Sequence, residues 1–151
     1  MNDGFLKVAA ATPTIAVADC IKNSAEICKM IEEASAKKAS LLVLPELCIT
    51  GYTCGDLFLQ KTLVKAVTEQ LLMIRDFTVG KKLLVVVGLP FEYNATLYNA
   101  AAVLYEGRIL GIVPKSNIRN HAEFSEGRYF VQGHKQEVDI KVGDEIVPFG
   151  T

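Results

Sequence analysis

The hydrophobic and polar positions change period several times along the chain, and each change marks an element. Phe5 to Ala11 is a short apolar run with turn residues after it, the pattern of a buried strand. From Asp19 the spacing becomes helical. Cys20, Ile21, Ser24, Ile27, Cys28, Ile31, Ala34 and Ser35 form one stripe, with Lys22, Glu26, Lys29, Glu32 and Glu33 turned away. Asp19 suits a cap, so a helix is predicted from there to about Lys38. Leu41-Leu42-Val43-Leu44 is continuously apolar, as in a parallel strand buried on both faces, and Pro45 stops it. After a loop through Gly51 and Gly55, Leu57 to Phe77 is helical again. Its stripe is Leu63, Val64, Val67, Leu71, Ile74 and Phe77, with a break expected near Gln60. Leu83 to Val87 is the next buried strand, ended by Gly88 and Pro90.

This β-α-β-α-β order predicts a layered α/β sheet. The rhythm then changes. Leu97 to Tyr105 and Arg108 to Val113 are two strands joined at Glu106-Gly107, a turn signal for an antiparallel hairpin. The expected sheet is therefore mixed, with helices flanking it. A polar, irregular stretch runs from Pro114 to Gly133, and Glu137 to Ile140 and Glu145 to Val147 are short strand candidates.

Composition narrows the function classes. The chain has 151 residues, which suits one domain, and half of them are hydrophobic, enough for a real core. Sixteen Lys and Arg against seventeen Asp and Glu leave no net field to attract nucleic acid or an anionic membrane. No apolar run approaches the ~20 residues of a membrane span. Cys20, Cys28, Cys48 and Cys54 make no C-x-x-C pair and lie far from His121 and His134, so no metal site is expected. Four cysteines are too sparse for a disulfide framework; a reduced, cytoplasmic chain is the simpler expectation.

In open α/β sheets ligands bind beyond the carboxyl ends of strands. Two charged residues occupy such places. Glu46 follows Leu41–Pro45 at once, and Lys115 follows Val113-Pro114. A carboxylate and an ammonium over one sheet edge can share a pocket, one as general base and the other as stabiliser of a developing oxyanion. Position alone leaves a second reading open, in which each caps a strand end and faces water. Cys20 and Cys28 read as small core residues of the first helix. Cys48, two residues from a carboxylate, is poorly placed to become a thiolate.

Leu44-Pro45-Glu46-Leu47 with Thr50-Gly51-Tyr52 and Gly55-Asp56-Leu57 resembles the first motif of the nitrilase superfamily. Tyr98-Asn99-Ala100-Ala101, Gly107-Arg108 and Val113-Pro114-Lys115 resemble the second, continued by Glu123-Phe124, Glu126 and Arg128-Tyr129-Phe130. The details are most similar to the glutaminase domains of glutamine-dependent NAD synthetases, and the likeness runs from about Phe5 to the end. It implies the first part of a nitrilase-type α-β-β-α sandwich, and carbon–nitrogen hydrolysis by a Glu, a Lys and a Cys. By motif match Glu46 would be the general base, Lys115 would hold the tetrahedral intermediate's charge, and Glu123 would help orient them. Tyr52 and His121 would line the substrate pocket. His121 stands where the family commonly has an aromatic hydroxyl residue. Bland alternatives stand beside these two, a packed tyrosine and a loop histidine in solvent. Arg128 is expected to pair with a carboxylate and steady its loop.

The family's nucleophile lies after the lysine, on another strand, and no cysteine follows Cys54. The expectation is a chain, 1–151, that is the N-terminal portion of a glutaminase domain and stops before the nucleophile strand. The implied partners are glutamine, a synthetase domain of the same polypeptide and further copies of itself. ATP and magnesium would belong to that absent synthetase domain, since no phosphate-binding glycine loop occurs here. Two alternatives remain, another amidase of the superfamily or a catalytically dead scaffold acting by self-association.

Overall fold

The computed structural model describes residues 4–121, 125–133 and 135–150. Its elements in chain order are β1 (Val8–Ala10), α1 (Cys20–Ala36), β2 (Leu41–Val43), α2 (Lys61–Phe77), β3 (Leu84–Tyr93), β4 (Thr96–Tyr105), β5 (Arg108–Pro114), β6 (Val138–Val142) and β7 (Glu145–Phe149), with 3-10 turns at Gly55–Leu59 and Glu126–Arg128. Among the described residues the strands form one sheet in the order β1-β2-β3-β4-β5-β7-β6. β1, β2 and β3 are parallel, β3-β4-β5 is an antiparallel meander, β7 pairs parallel with β5, and β6 is antiparallel to β7.

Asp19 caps α1 as its sequence suggests, its carboxylate accepting from Lys22 N at 3.0 Å. The expected break near Gln60 is real: Gly55–Leu59 is a 3-10 turn, and α2 begins at Lys61. The Glu106-Gly107 turn is also as read, with both residues at positive φ. A second two-residue turn, Asn94-Ala95, joins β3 to β4 with φ of 50° and 57°.

β3 differs from its expected end, running through Gly88 and Pro90 to Tyr93. The carbonyls of Val86 and Gly88 accept from Leu44 N and Ile49 N, on the β2 side. Strand alternation turns residue 90 to that same side. β2 has ended by then, so the N–H that Pro90 lacks had no strand partner to lose.

Both helices pack on one face of the sheet. There Ile27, Ile31, Leu71 and Ile74 meet Leu42, Val85, Val87, Ala102 and Leu104, all fully buried. The opposite face carries Val43, Val86, Ala101, Val103 and Val113 and stays open, with Val43 41% and Val113 45% exposed. Arg75 at the end of α2 ties that helix to the β6–β7 hairpin. Its guanidinium holds Asp144 and Glu145 at 2.7 Å each and Asp76 at 2.8 Å. Arg75→Met should lower the unfolding free energy by about 1–2 kcal/mol, because Glu145 would keep a largely buried carboxylate without its partner. A lower urea midpoint at unchanged m-value is the measurement.

Candidate functional site

The carboxylate of Glu46 is placed by a tight elbow after β2. Leu44 N donates to Val86 O at 2.9 Å, which keeps the chain on the sheet up to Pro45. Leu47 then takes a left-handed conformation, φ 52°, and its carbonyl accepts from Thr50 N and Gly51 N at 3.1 and 2.7 Å. Leu47, Cys48, Ile49 and Thr50 are all buried, so the turn is pinned by packing and only Glu46 projects outward. Behind it the buried Asn23 of α1 donates to Ile49 O at 3.0 Å and to Ala16 O at 2.8 Å, and accepts from Ala16 N at 2.7 Å. That amide stitches the 16–19 loop to the elbow. Strain held at a site by surrounding packing is the usual company of chemistry.

Lys115 leaves the end of β5 with its backbone clamped on both sides. Its N–H donates to Asn99 O at 2.7 Å, and its carbonyl accepts from Gly133 N at 2.9 Å. The ammonium reaches Glu46 Oε1 at 2.6 Å and both oxygens of Glu126 at 2.9 Å. Asn99, buried on β4, donates its side-chain amide to the same Glu46 oxygen. Glu126 also accepts from the Tyr52 hydroxyl at 2.6 Å and from Arg119 N at 3.3 Å.

The two carboxylates sit in different surroundings: the Glu46 side chain is 42% exposed and that of Glu126 only 5%. Burial alone would raise the Glu126 pKa. The hydrogen bonds from Tyr52, Lys115 and Arg119 N and the Lys115 charge outweigh it, so the group stays below the ordinary glutamate value. Burial likewise works against the Lys115 ammonium, but Glu46 and Glu126 overcome it and hold the pKa above that of a free lysine. The cluster therefore presents a protonated cation between two carboxylates, the more open of which faces a groove.

That groove, of about 760 Å³, runs over the open sheet face between Val43, Val86, Ala101 and Val113, with Glu46, Asn99 and Lys115 at its end. A smaller crevice of about 220 Å³ lies on the far side of Glu126, walled by Tyr52, Phe58 and Phe130. Asp56 pairs with Arg128 at 2.9 Å and accepts at 3.2 Å from the hydroxyl of Tyr129, which also lines this crevice. Arg128 thus has the carboxylate partner its sequence context suggests.

Glu46 and Lys115, distant in sequence, meet as expected. Tyr52 joins them through Glu126. His121 is exposed on the loop after Lys115. Glu123 lies outside the described residues; the second carboxylate found on Lys115 is Glu126. Sequence reading assigned no role to Glu126, Asn99 or Asn23. Asn99 carried one usable signal, a lone amide inside an apolar strand, since a buried amide needs partners. Among the described residues no three His, Cys, Asp or Glu side chains form a metal-binding group.

Three of the four cysteines are buried, and Cys28 is half-buried. Burial pushes the Cys48 thiol up to about 12, only partly offset by its contact with Gly88 O at 3.5 Å. Burial, with Cys54 and Asp19 nearby, pushes Cys20 to about 11. Cys54 is buried with its sulfur on Thr50 O at 3.2 Å, and burial raises its pKa too. Thiol-specific reagents at neutral pH should therefore leave Cys20, Cys48 and Cys54 unlabelled until denaturant is added, by mass spectrometry of the labelled peptides.

Residues 7–150 match the family model described as carbon-nitrogen hydrolase. The glutamine-dependent NAD(+) synthetase of Mycobacterium bovis is 35% identical over 148 residues, 98% of this chain and 22% of that protein. The crystal structure of a glutamine-dependent NAD(+) synthetase from Cytophaga hutchinsonii superposes with a TM-score of 0.90 at 29% identity, over 96% of this chain and 25% of that one. An amidase from Nesterenkonia sp., 24% identical, shares the fold with a TM-score of 0.72, over 95% of this chain and 54% of its own. The chain thus spans about a quarter of the length of the synthetases it matches.

Proposed function

The chain belongs to the carbon–nitrogen hydrolase family, and from that membership we propose that it forms the acid–base and cation half of a glutaminase centre. Such a centre releases ammonia from glutamine for ATP-dependent NAD synthesis. The observation that carries this reading is the 2.6 Å contact between Lys115 Nζ and Glu46 Oε1 at the end of the groove, between residues 69 positions apart. The similarity to two glutamine-dependent NAD(+) synthetases supports the choice of glutamine over other amides.

The chemistry follows from the charges. A cysteine thiol gives its proton to Glu46, and the sulfur attacks the side-chain amide carbon. The Lys115 ammonium steadies the oxyanion that develops. Glu46 passes the proton to the amide nitrogen, the carbon–nitrogen bond breaks and ammonia leaves. Water then gives a proton to Glu46 and attacks the thioester. The carbon–sulfur bond breaks, and the proton returns to the sulfur as glutamate departs. Glu126, saturated by donors, holds Lys115 in place and takes no proton. Cys48 and Cys54 direct their sulfurs to Gly88 O and Thr50 O, Cys28 lies against Met73 and Cys20 is buried on α1, so the attacking sulfur is assigned to a residue outside these 151 positions. The ATP-dependent step is assigned to a separate synthetase domain, in keeping with this chain's covering only 22% of the Mycobacterium bovis synthetase.

Glutamate release from glutamine tests the reading. The 151-residue chain alone should give none; turnover abolished by Cys48→Ala would overturn the assignment of the sulfur. In the complete gene product Glu46→Gln should cut kcat by about 10³-fold, since an amide cannot accept the proton.

A further inference from the structure

Two glutamates share one lysine, and only one of them can serve as base. The geometry points to Tyr52 as the residue that decides which: a positioning residue whose hydroxyl, 2.6 Å from Glu126 Oε1, fixes the buried carboxylate on Lys115 and leaves Glu46 to move the proton. This rests on the glutaminase reading and deepens it.

Every direction around Glu126 supports the division. Lys115 approaches both its oxygens from the end of β5, at 2.9 Å each. Arg119 N approaches Oε2 from the following loop. Tyr52 approaches Oε1 from the elbow after β2, the same elbow that carries Glu46 six positions earlier. Four donor contacts occupy two oxygens, and 5% exposure leaves little room for a fifth. Glu46 accepts from Lys115 and Asn99 through one oxygen, Oε1, and its side chain is 42% exposed beside the groove.

The hydroxyl has a second effect. Without it, Oε1 of Glu126 keeps only the ammonium, and the carboxylate is free to turn about its last bond. Lys115, on its flexible stem, would then be drawn away from Glu46 with it. One O–H thus holds the ammonium between the two acids. The ionised groups that bear on the hydroxyl are Glu126, Glu46 and Arg119. Burial first, and then the two carboxylates, keep it protonated, so the tyrosine stays a donor throughout the neutral range.

The experiment is Tyr52→Phe, which keeps the ring and removes only the O–H. Carbon-13 NMR titration of the 151-residue chain reads the Glu126 carboxyl directly. Its midpoint should move upward in the variant while the far-UV circular dichroism stays that of wild type. In the complete gene product kcat on glutamine should fall about 10-fold with KM unchanged, and on a Glu126→Gln background the substitution should cost nothing further. An unmoved Glu126 midpoint overturns the inference. So does a rise in KM at constant kcat, which would make Tyr52 a substrate contact. If no variant or wild type releases glutamate from glutamine, the functional reading fails, and the NMR midpoint still decides whether Tyr52 positions Glu126.

Discussion

Gly88→Ala is expected to lower the unfolding free energy by about 3 kcal/mol and to disable the site with it. A methyl group at position 88 would lie 2.4 Å from Pro45 O, 2.5 Å from Leu47 N and 2.8 Å from Glu46 Cα. All three are backbone atoms of the elbow, which cannot swing aside as the end of a side chain would. The elbow crosses directly over β3 because position 88 has no side chain there, and Ile49 N bonds to the Gly88 carbonyl as it passes. Pushing the turn outward would break that bond, unseat the buried Leu47 and Ile49, and carry Glu46 away from Lys115. Urea denaturation reads the first effect. The second appears as a fall of the Lys115 ammonium pKa toward that of a free lysine, by NMR. A variant of full stability with an unmoved Lys115 would show that the elbow is looser than its packing implies.

Lys115→Met is expected to be the most damaging single change to the chemistry. Under the proposed mechanism, removing the charge assigned to the developing oxyanion should cut kcat of the complete gene product on glutamine by about 10³-fold or more. It should also destabilise the chain by about 2–3 kcal/mol at pH 7, since Glu126 would keep a buried carboxylate with only Tyr52 and Arg119 N as donors. The pH dependence has a definite sign. Glu126 lies below its ordinary value of 4.5 in the folded chain, so its contribution is complete above that pH and is lost as pH falls through the folded value. Lys115 lies above its ordinary 10.5, so its contribution is complete below that pH and is lost as pH rises through the folded value. The gap between wild type and Lys115→Met should be widest between these limits and should close in acid, where Glu126 is protonated in both. Denaturant midpoints at pH 3, 7 and 9 measure it.

What the chain reveals on reading follows from how local each signal is. Glu46 and Lys115 stand out because each follows an apolar strand and a proline, a pattern complete within a few residues. α1 is legible from its cap and stripe alone. The end of β3 is not, because Pro90 breaks a strand only where its N–H would face a neighbour, and that depends on where β2 ends. Glu126 sits in a polar loop with Glu123 three positions earlier, and nothing local says that Glu126 is buried. Asn23 and Arg75 read as ordinary helix positions, because their partners lie at Ile49, Asp144 and Glu145, far along the chain.

Asn99 touches both halves of the site at once, its side chain on Glu46 and its carbonyl on the Lys115 N–H. A single peptide unit therefore acts as a gauge for the spacing between acid and amine. The tight reversals at either end of β4, Asn94-Ala95 and Glu106-Gly107, fix which way that gauge points. One extra residue in either would turn the amide toward the helices and leave the acid and the amine without a common reference. Natural variants of this chain should accordingly show few length changes in those two reversals.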